Sequence, residues 1–369
     1  MSNNEETNLK GSPNEELELP ELLASSETVR AMHETIDTEW DSLRRSACQT
    51  AAGRALWKHV VKDPVAEILA GASYLRSLHE KMRRDHINNA REVSGVILAV
   101  RTLWFDSKIE AAIGSFGGDK GSQVVLLGAE RLTELVIQLK KLEVGDIGQK
   151  IQVNAHKTED SGMDARAYRL SCLKDSSVFE VDFPDLLQMK AALLSEVMGS
   201  AKHNGLTMTA KSLIRVAADI REKDWLEKLQ RCGFVPEKNT VWVLEGIIYY
   251  LPQAEAMQVL QSIASLCDLT HTVLLADFMN QSSTELSLST FHFYSDWPEQ
   301  LLPSLGFSHV KLSQIGDPDA HFGLMHDPLN LFNKLRKLPR SVQTHPEDGT
   351  PCRRLYLVES SGLPGQGDS

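Results

Sequence analysis

Val178-Phe-Glu-Val-Asp182 reads as a short buried strand that stops on a carboxylate. Four further runs have the same texture: Gln123-Val-Val-Leu-Leu-Gly128, Leu213-Ile-Arg-Val-Ala-Ala-Asp219, Thr240-Val-Trp-Val-Leu-Glu245 and Thr272-Val-Leu-Leu-Ala-Asp277. Helix-length segments separate them. Strands spaced in this way need crossover connections, so the pattern predicts an α/β fold with a mostly parallel sheet and helices on both faces. Two later apolar runs, Val310 to Leu312 and Arg354 to Val358, predict an antiparallel pair near the C-terminus.

The strand ends also carry chemistry. Asp182, Asp219, Glu245 and Asp277 each stand at or near the exit of a predicted strand. Any one of them reads as a helix cap. Four on one sheet edge read as a ligand rim, because open parallel sheets bind ligands beyond the carboxyl ends of their strands. Such a rim repels a pyrophosphate. The chain has neither the G-x-G-x-x-G dinucleotide fingerprint nor a G-x-x-x-x-G-K-[ST] phosphate loop, and no G-x-S-x-G nucleophile elbow. A cofactor without phosphate suits the rim better. S-adenosyl-L-methionine is one: it offers a ribose diol, an adenine amine and an ammonium as donors to carboxylates.

Upstream of the first strand the pattern is helical from Glu27 to about Ile113, with apolar residues such as Ala66, Ile68, Leu69 and Ala72 at three- and four-residue spacing. The expected organisation is an acidic disordered tail over 1–26 and a helical cap over 27–113. An α/β domain follows over 114–360, then a flexible tail over 361–369. The chain has 369 residues, with Lys plus Arg 39 and Asp plus Glu 50, a net charge of −11. That balance argues against nucleic acid or anionic membrane as partner. The cysteines (Cys48, Cys172, Cys232, Cys267 and Cys352) are scattered and form no C-x-x-C pair. No metal site is expected, and the reducing cytoplasm is the expected location.

Three longer motifs carry a family resemblance. Val178-Phe-Glu-Val-Asp-Phe-Pro184, Ala218-Asp-Ile-Arg221 and Leu244-Glu-Gly-Ile-Ile-Tyr-Tyr-Leu-Pro252 resemble the leucine carboxyl methyltransferase family, which includes bacterial carboxyl O-methyltransferases. Arg101-Thr-Leu-Trp-Phe-Asp106 and Gly162-Met-Asp-Ala-Arg-Ala-Tyr-Arg169 resemble the family's segments on either side of the first strand. The resemblance implies a Rossmann-like class I methyltransferase fold with a seven-stranded sheet, and S-adenosyl-L-methionine as cofactor. It implies that Arg101 pairs with the cofactor's methionyl carboxylate, that Gly128, Gly162 and Asp164 form the glycine turn, and that Asp182 takes the ribose hydroxyls. Asp219 and Ile220 would flank the adenine, and Glu245 would meet the methionyl ammonium. Tyr249 and Tyr250 are candidates for the substrate side, with core packing as their other reading.

The pattern breaks at one place. Gly128-Ala129 is followed by Glu130 through Ser161 before Gly162-Met-Asp164 resumes the turn. Strand-to-helix loops are ordinarily about 2–6 residues, so the insertion is expected to displace Gly162 and Asp164 from Gly128. The expected reaction is O-methylation of a carboxylate or hydroxyl on a small-molecule acceptor. An inactive or weakly binding form with a broken cofactor loop is one alternative, and methylation of a protein C-terminal carboxyl is another. A carboxylate nucleophile is already ionised at neutral pH and needs no general base. No residue is assigned as one.

Overall fold

The computed structural model describes residues 16–88, 93–117, 121–128, 163–200, 207–284, 291–324 and 355–364. Its sheet has seven strands in the order β3-β2-β1-β4-β5-β7-β6. They are β1 (Gln123–Leu127), β2 (Ser177–Asp182), β3 (Ser212–Ala217), β4 (Thr240–Leu244), β5 (Thr272–Met279), β6 (His309–Gln314) and β7 (Leu355–Gly362). β1 to β5 are parallel, and β7 runs antiparallel to both β5 and β6. This is the Rossmann-like class I methyltransferase fold. The central strands β1, β4 and β5 are buried on both faces, which is why they read as unbroken apolar runs.

The pleat divides two cores. Val124, Leu126, Val178, Val241, Val243, Val273, Leu275 and Leu357 face one side, together with the N-terminal helices. Val125, Leu127, Phe179, Val181, Trp242, Leu244, Leu274 and Phe278 face the other, against the helices Trp225–Arg231 and Gln253–Ala264. The Val96–Ser115 helix lies on the sheet through Val100, Trp104, Phe105 and Ile109. The expected boundary at 113/114 therefore falls at the end of a helix that is itself a layer of the α/β core.

Described residues of both expected tails belong to regular structure. Glu21–Ser25 is helical, with Leu23 buried and Leu19 and Leu22 packed on the core, so the leucines among the glutamates anchor a stretch expected to be disordered. β7 runs through to Gly362, past the expected boundary at 360, because it pairs with β5 along its whole length. Among the described residues no helix is long and apolar enough to cross a membrane.

Two local features aim the strand ends. Pro184 stands in the first turn of the Pro184–Gly199 helix, so that helix starts almost directly after Asp182. Gly246, immediately after Glu245, has φ 72°, a left-handed turn open to glycine. The chain builds outward from β1 to β3 and then returns to β4 on the other side of β1. The strand order thus reverses between β1 and β4, where a parallel sheet opens its crevice.

Candidate active site at the switch point

Gly128 and Asp182 end adjacent strands, and the Gly128 amide donates to Val181 O at 2.9 Å. A Cβ built on Gly128 would stand 2.3 Å from Asp182 Oδ2, so the carboxylate occupies the space that glycine leaves. Asp182 is 5% exposed. Its carboxylate accepts the Phe183 amide at Oδ1, at 2.8 Å. Burial pushes its carboxyl up to about 7, a rise that the Phe183 N–H and the charge of Lys190 only partly oppose. It is a buried carboxylate with unused acceptor capacity.

Asp164 joins them. A cavity of about 10 Å³, room for roughly one water, is lined by Gly128, Asp164, Glu180, Asp182 and Lys190 together with Leu126, Val181 and Leu187. The expectation that the insertion would move Asp164 away from Gly128 is therefore corrected. The cause is local anchoring. Arg54, itself paired with Asp63, donates to Met163 O at 2.5 Å, and Arg166 grips Asp164 at 2.5 Å. Burial alone would raise the Asp164 carboxyl, but Arg166, Lys190 and Arg54 outweigh it and hold it at about 2. Gly162 and the whole inserted stretch, 130–161, lie outside the described residues. Glu180 points to the same cavity, held by Lys190 Nζ at 2.8 Å and Arg215 Nε at 3.3 Å.

A second cluster sits beyond β4. Arg101 donates to Glu245 Oε1 at 3.2 Å, to Asp277 Oδ2 at 3.4 Å and to the Tyr249 hydroxyl at 3.5 Å. Arg166 donates to the other Glu245 oxygen at 2.5 Å and to Asp106 Oδ1 at 2.7 Å, and Arg169 forks onto the same Asp106. Arg101, Arg166 and Arg169 thus face Asp106, Asp164, Glu245 and Asp277. Burial lifts the Asp277 carboxyl to about 6, against the pull of Arg101 and the Gly246 amide.

The remaining candidates are less centred. Asp219 accepts the Arg221 amide and is forked by the Arg221 guanidinium at 2.6 to 3.1 Å, while Ile220 is fully buried beside it. Tyr249 and Tyr250 are both buried, 4.9 Å apart by ring centroid, and both pack on Phe291. Tyr249 reaches the Arg101 cluster through its hydroxyl. Three residues of that cluster carried no assigned role in the sequence reading: Asp106, Arg166 and Arg169. All three stand inside the motifs quoted for the resemblance, so the signal was present without a partner to give it meaning.

Fold and site together define a class I S-adenosylmethionine-dependent methyltransferase. The leucine carboxyl methyltransferase family model matches residues 47–129 and 160–264, and the chain belongs to that family. The match leaves out 130–159, within the stretch that interrupts the glycine turn. A relative from Mycobacteroides abscessus, named "Putative S-adenosyl-L-methionine-dependent methyltransferase", is 28% identical over 257 residues, 64% of this chain and 68% of that protein. A second so named, from Rhodococcus jostii strain RHA1, is 42% identical over 94 residues, 26% of this chain and 29% of that one. Among solved structures, a duf574 family protein from Streptomyces avermitilis is similar over 84% of this chain and 96% of that chain, at 10% identity and a TM-score of 0.41.

Proposed function

We propose that this methyltransferase acts on an oxygen of a small-molecule acceptor, with a carboxylate favoured over a hydroxyl. The observation that carries the cofactor half of this reading is Asp182: a buried carboxylate with acceptor capacity to spare, beside a glycine whose missing side chain makes room for it. Two vicinal hydroxyls of a ribose are the donors that such a group fits. Glu245 is suited to an ammonium and Arg101 to a carboxylate, since a planar guanidinium matches a carboxylate fork. Asp219 and Ile220 supply a polar and an apolar contact for the adenine. Gly128, Asp164 and Gly162 serve as the turn beneath the cofactor.

S-adenosylmethionine supplies an electrophilic methyl group on a sulfonium. What the protein contributes is orientation and charge. The described carboxylates of the Arg101 cluster, Asp106, Asp164, Glu245 and Asp277, are each paired with an arginine. A nucleophile that arrives ionised fits such a site, and catalysis then rests on holding it in line with the methyl group. A protein C-terminal carboxyl has the same chemistry and is the alternative acceptor.

A second reading, an inactive or weakly binding form, is favoured by the interrupted turn. Calorimetric titration of S-adenosylmethionine separates the two, using the full chain and a chain lacking 130–161. Because Met163 to Arg169 is anchored by its own ion pairs, the two chains are expected to bind within a few-fold of each other. Binding by the shortened chain alone would favour the inactive form. Methyl transfer from labelled cofactor to a panel of carboxylic acids and alcohols then tests the acceptor class. Labelling of alcohols without acids would overturn the carboxylate preference.

A further inference from the structure

Glu245 is the first residue after β4, and its two oxygens are shared unequally. Oε2 is 2.5 Å from Arg166 Nη2, whereas Oε1 is 3.2 Å from Arg101 Nε. The Arg101 contacts to Glu245, Asp277 and Tyr249 are longer, between 3.2 and 3.5 Å. Arg166 is different. It is 2% exposed, and its guanidinium directs one nitrogen to each of three carboxylates: Nε to Asp106 at 2.7 Å, Nη1 to Asp164 at 2.5 Å and Nη2 to Glu245. Its backbone amide also donates to Asp164 Oδ1 at 2.7 Å, and Phe105 lies against the guanidinium, 5.8 Å away by ring centroid.

Those carboxylates come from three separate segments: the Val96–Ser115 helix, the chain re-entering after the insertion, and the exit of β4. A planar fork is the side chain able to serve three divergent acceptors at once; an ammonium is a point charge without that fixed geometry. Charge-assisted bonds this short are the strong ones. The arrangement divides the labour between two arginines. Arg166 is the nearer partner of Glu245, and Arg101 the more distant one.

We propose that Arg166 is a positioning residue for the methionyl end of the cofactor. It fixes Glu245 and Asp164 as one unit, so that Glu245 Oε1 is presented to an ammonium while Arg101 turns to the ligand's carboxylate. The inference rests on the cofactor reading given above and extends it to a residue that never touches the ligand.

The test uses two ligands on the full chain. S-adenosylmethionine has the methionyl end, and methylthioadenosine keeps the nucleoside and lacks the amino-acid group. In Arg166→Met, affinity for S-adenosylmethionine is expected to fall roughly tenfold or more, the scale of one lost charged hydrogen bond, with methylthioadenosine affinity nearly unchanged. Arg166→Lys should recover part of the loss. With Glu245→Gln in the background, adding Arg166→Met should cost little more, since Arg166 acts through that carboxylate. Equal losses for both ligands, no loss for either, or additive losses in the double variant would each overturn the proposal. So would a failure of both Arg166 variants to fold, which would assign the residue to stability alone. A wild-type chain that binds neither ligand defeats the cofactor reading itself, and with it this inference.

Discussion

At the scale of single residues, Asp182 pits binding against stability. Its folded carboxyl titrates near 7, above the ordinary carboxylate range, because burial outweighs the Phe183 amide. Between pH about 4 and 7 the folded chain holds a proton that the unfolded chain releases, so stability from this group falls as pH rises through that window. Asp182→Asn keeps an acceptor for the Phe183 amide and removes the charge. It should melt higher than wild type at pH 8 and about equal to it at pH 4; equal melting temperatures at pH 8 would refute the argument. Cofactor affinity has the opposite dependence, because the ionised form accepts both hydroxyls. It should weaken below pH 7, by up to about tenfold per pH unit, and a flat profile by calorimetry would remove Asp182 from the ribose site. Gly128→Ala probes the same pair from the other side. The new methyl group would meet Asp182 Oδ2, the movable end of a side chain, so affinity should suffer more than stability. Both residues were legible in the sequence as a strand-end carboxylate and a strand-end glycine. Their mutual contact was not, because it depends on β1 and β2 being neighbours in register.

At the scale of elements, the Ala66–Ile87 helix shows how little of a kink is visible in a periodic pattern. Its apolar spacing reads as one helix, yet Gly71 sits inside it at φ 79° and ψ 159°. A Cβ there would lie 2.5 Å from His33 Nδ1, while His33 Nε2 donates to Ile68 O at 2.8 Å. The kink is therefore shaped to a histidine from the Glu27–Glu39 helix. Gly71→Ala combines left-handed strain with that clash and should cost about 1–3 kcal/mol. Urea denaturation measures it, and an unchanged midpoint would show that the helix straightens freely. The strands were easier to read. Those buried on both faces announce themselves as apolar runs, and their observed limits differ from the expected ones mainly at the ends, where β5 continues past Asp277 to Met279. Asp277 thus lies within a strand, and its carboxylate reaches Arg101 and the Gly246 amide from there.

At the scale of the whole molecule, the N-terminal helices and the sheet form one body. Leu23, Val29 and Ile36 are buried in the same core as Val100, Val124 and Val241. Removing residues 1–40 should therefore lower the melting temperature by several degrees, about 2–4 °C for each kcal/mol lost. A truncated chain that melts like the full one would make those helices a dispensable cap. The sequence by itself determined the class of the protein: the alternation of apolar runs with helical segments, the carboxylates at strand exits and the motifs around Arg101, Asp182 and Glu245. These are local properties, written in periodicity and residue type over a few neighbouring positions. Only the tertiary structure decided which charge meets which. Arg101 finds Glu245 and Asp277, and Arg166 finds Asp106 and Glu245, across long stretches of chain. The anchoring of Met163 to Arg169, which returns Asp164 to Gly128 after the insertion, was decided there too. In an acidic chain every arginine has many possible partners, and the order of strands in the sheet selects among them.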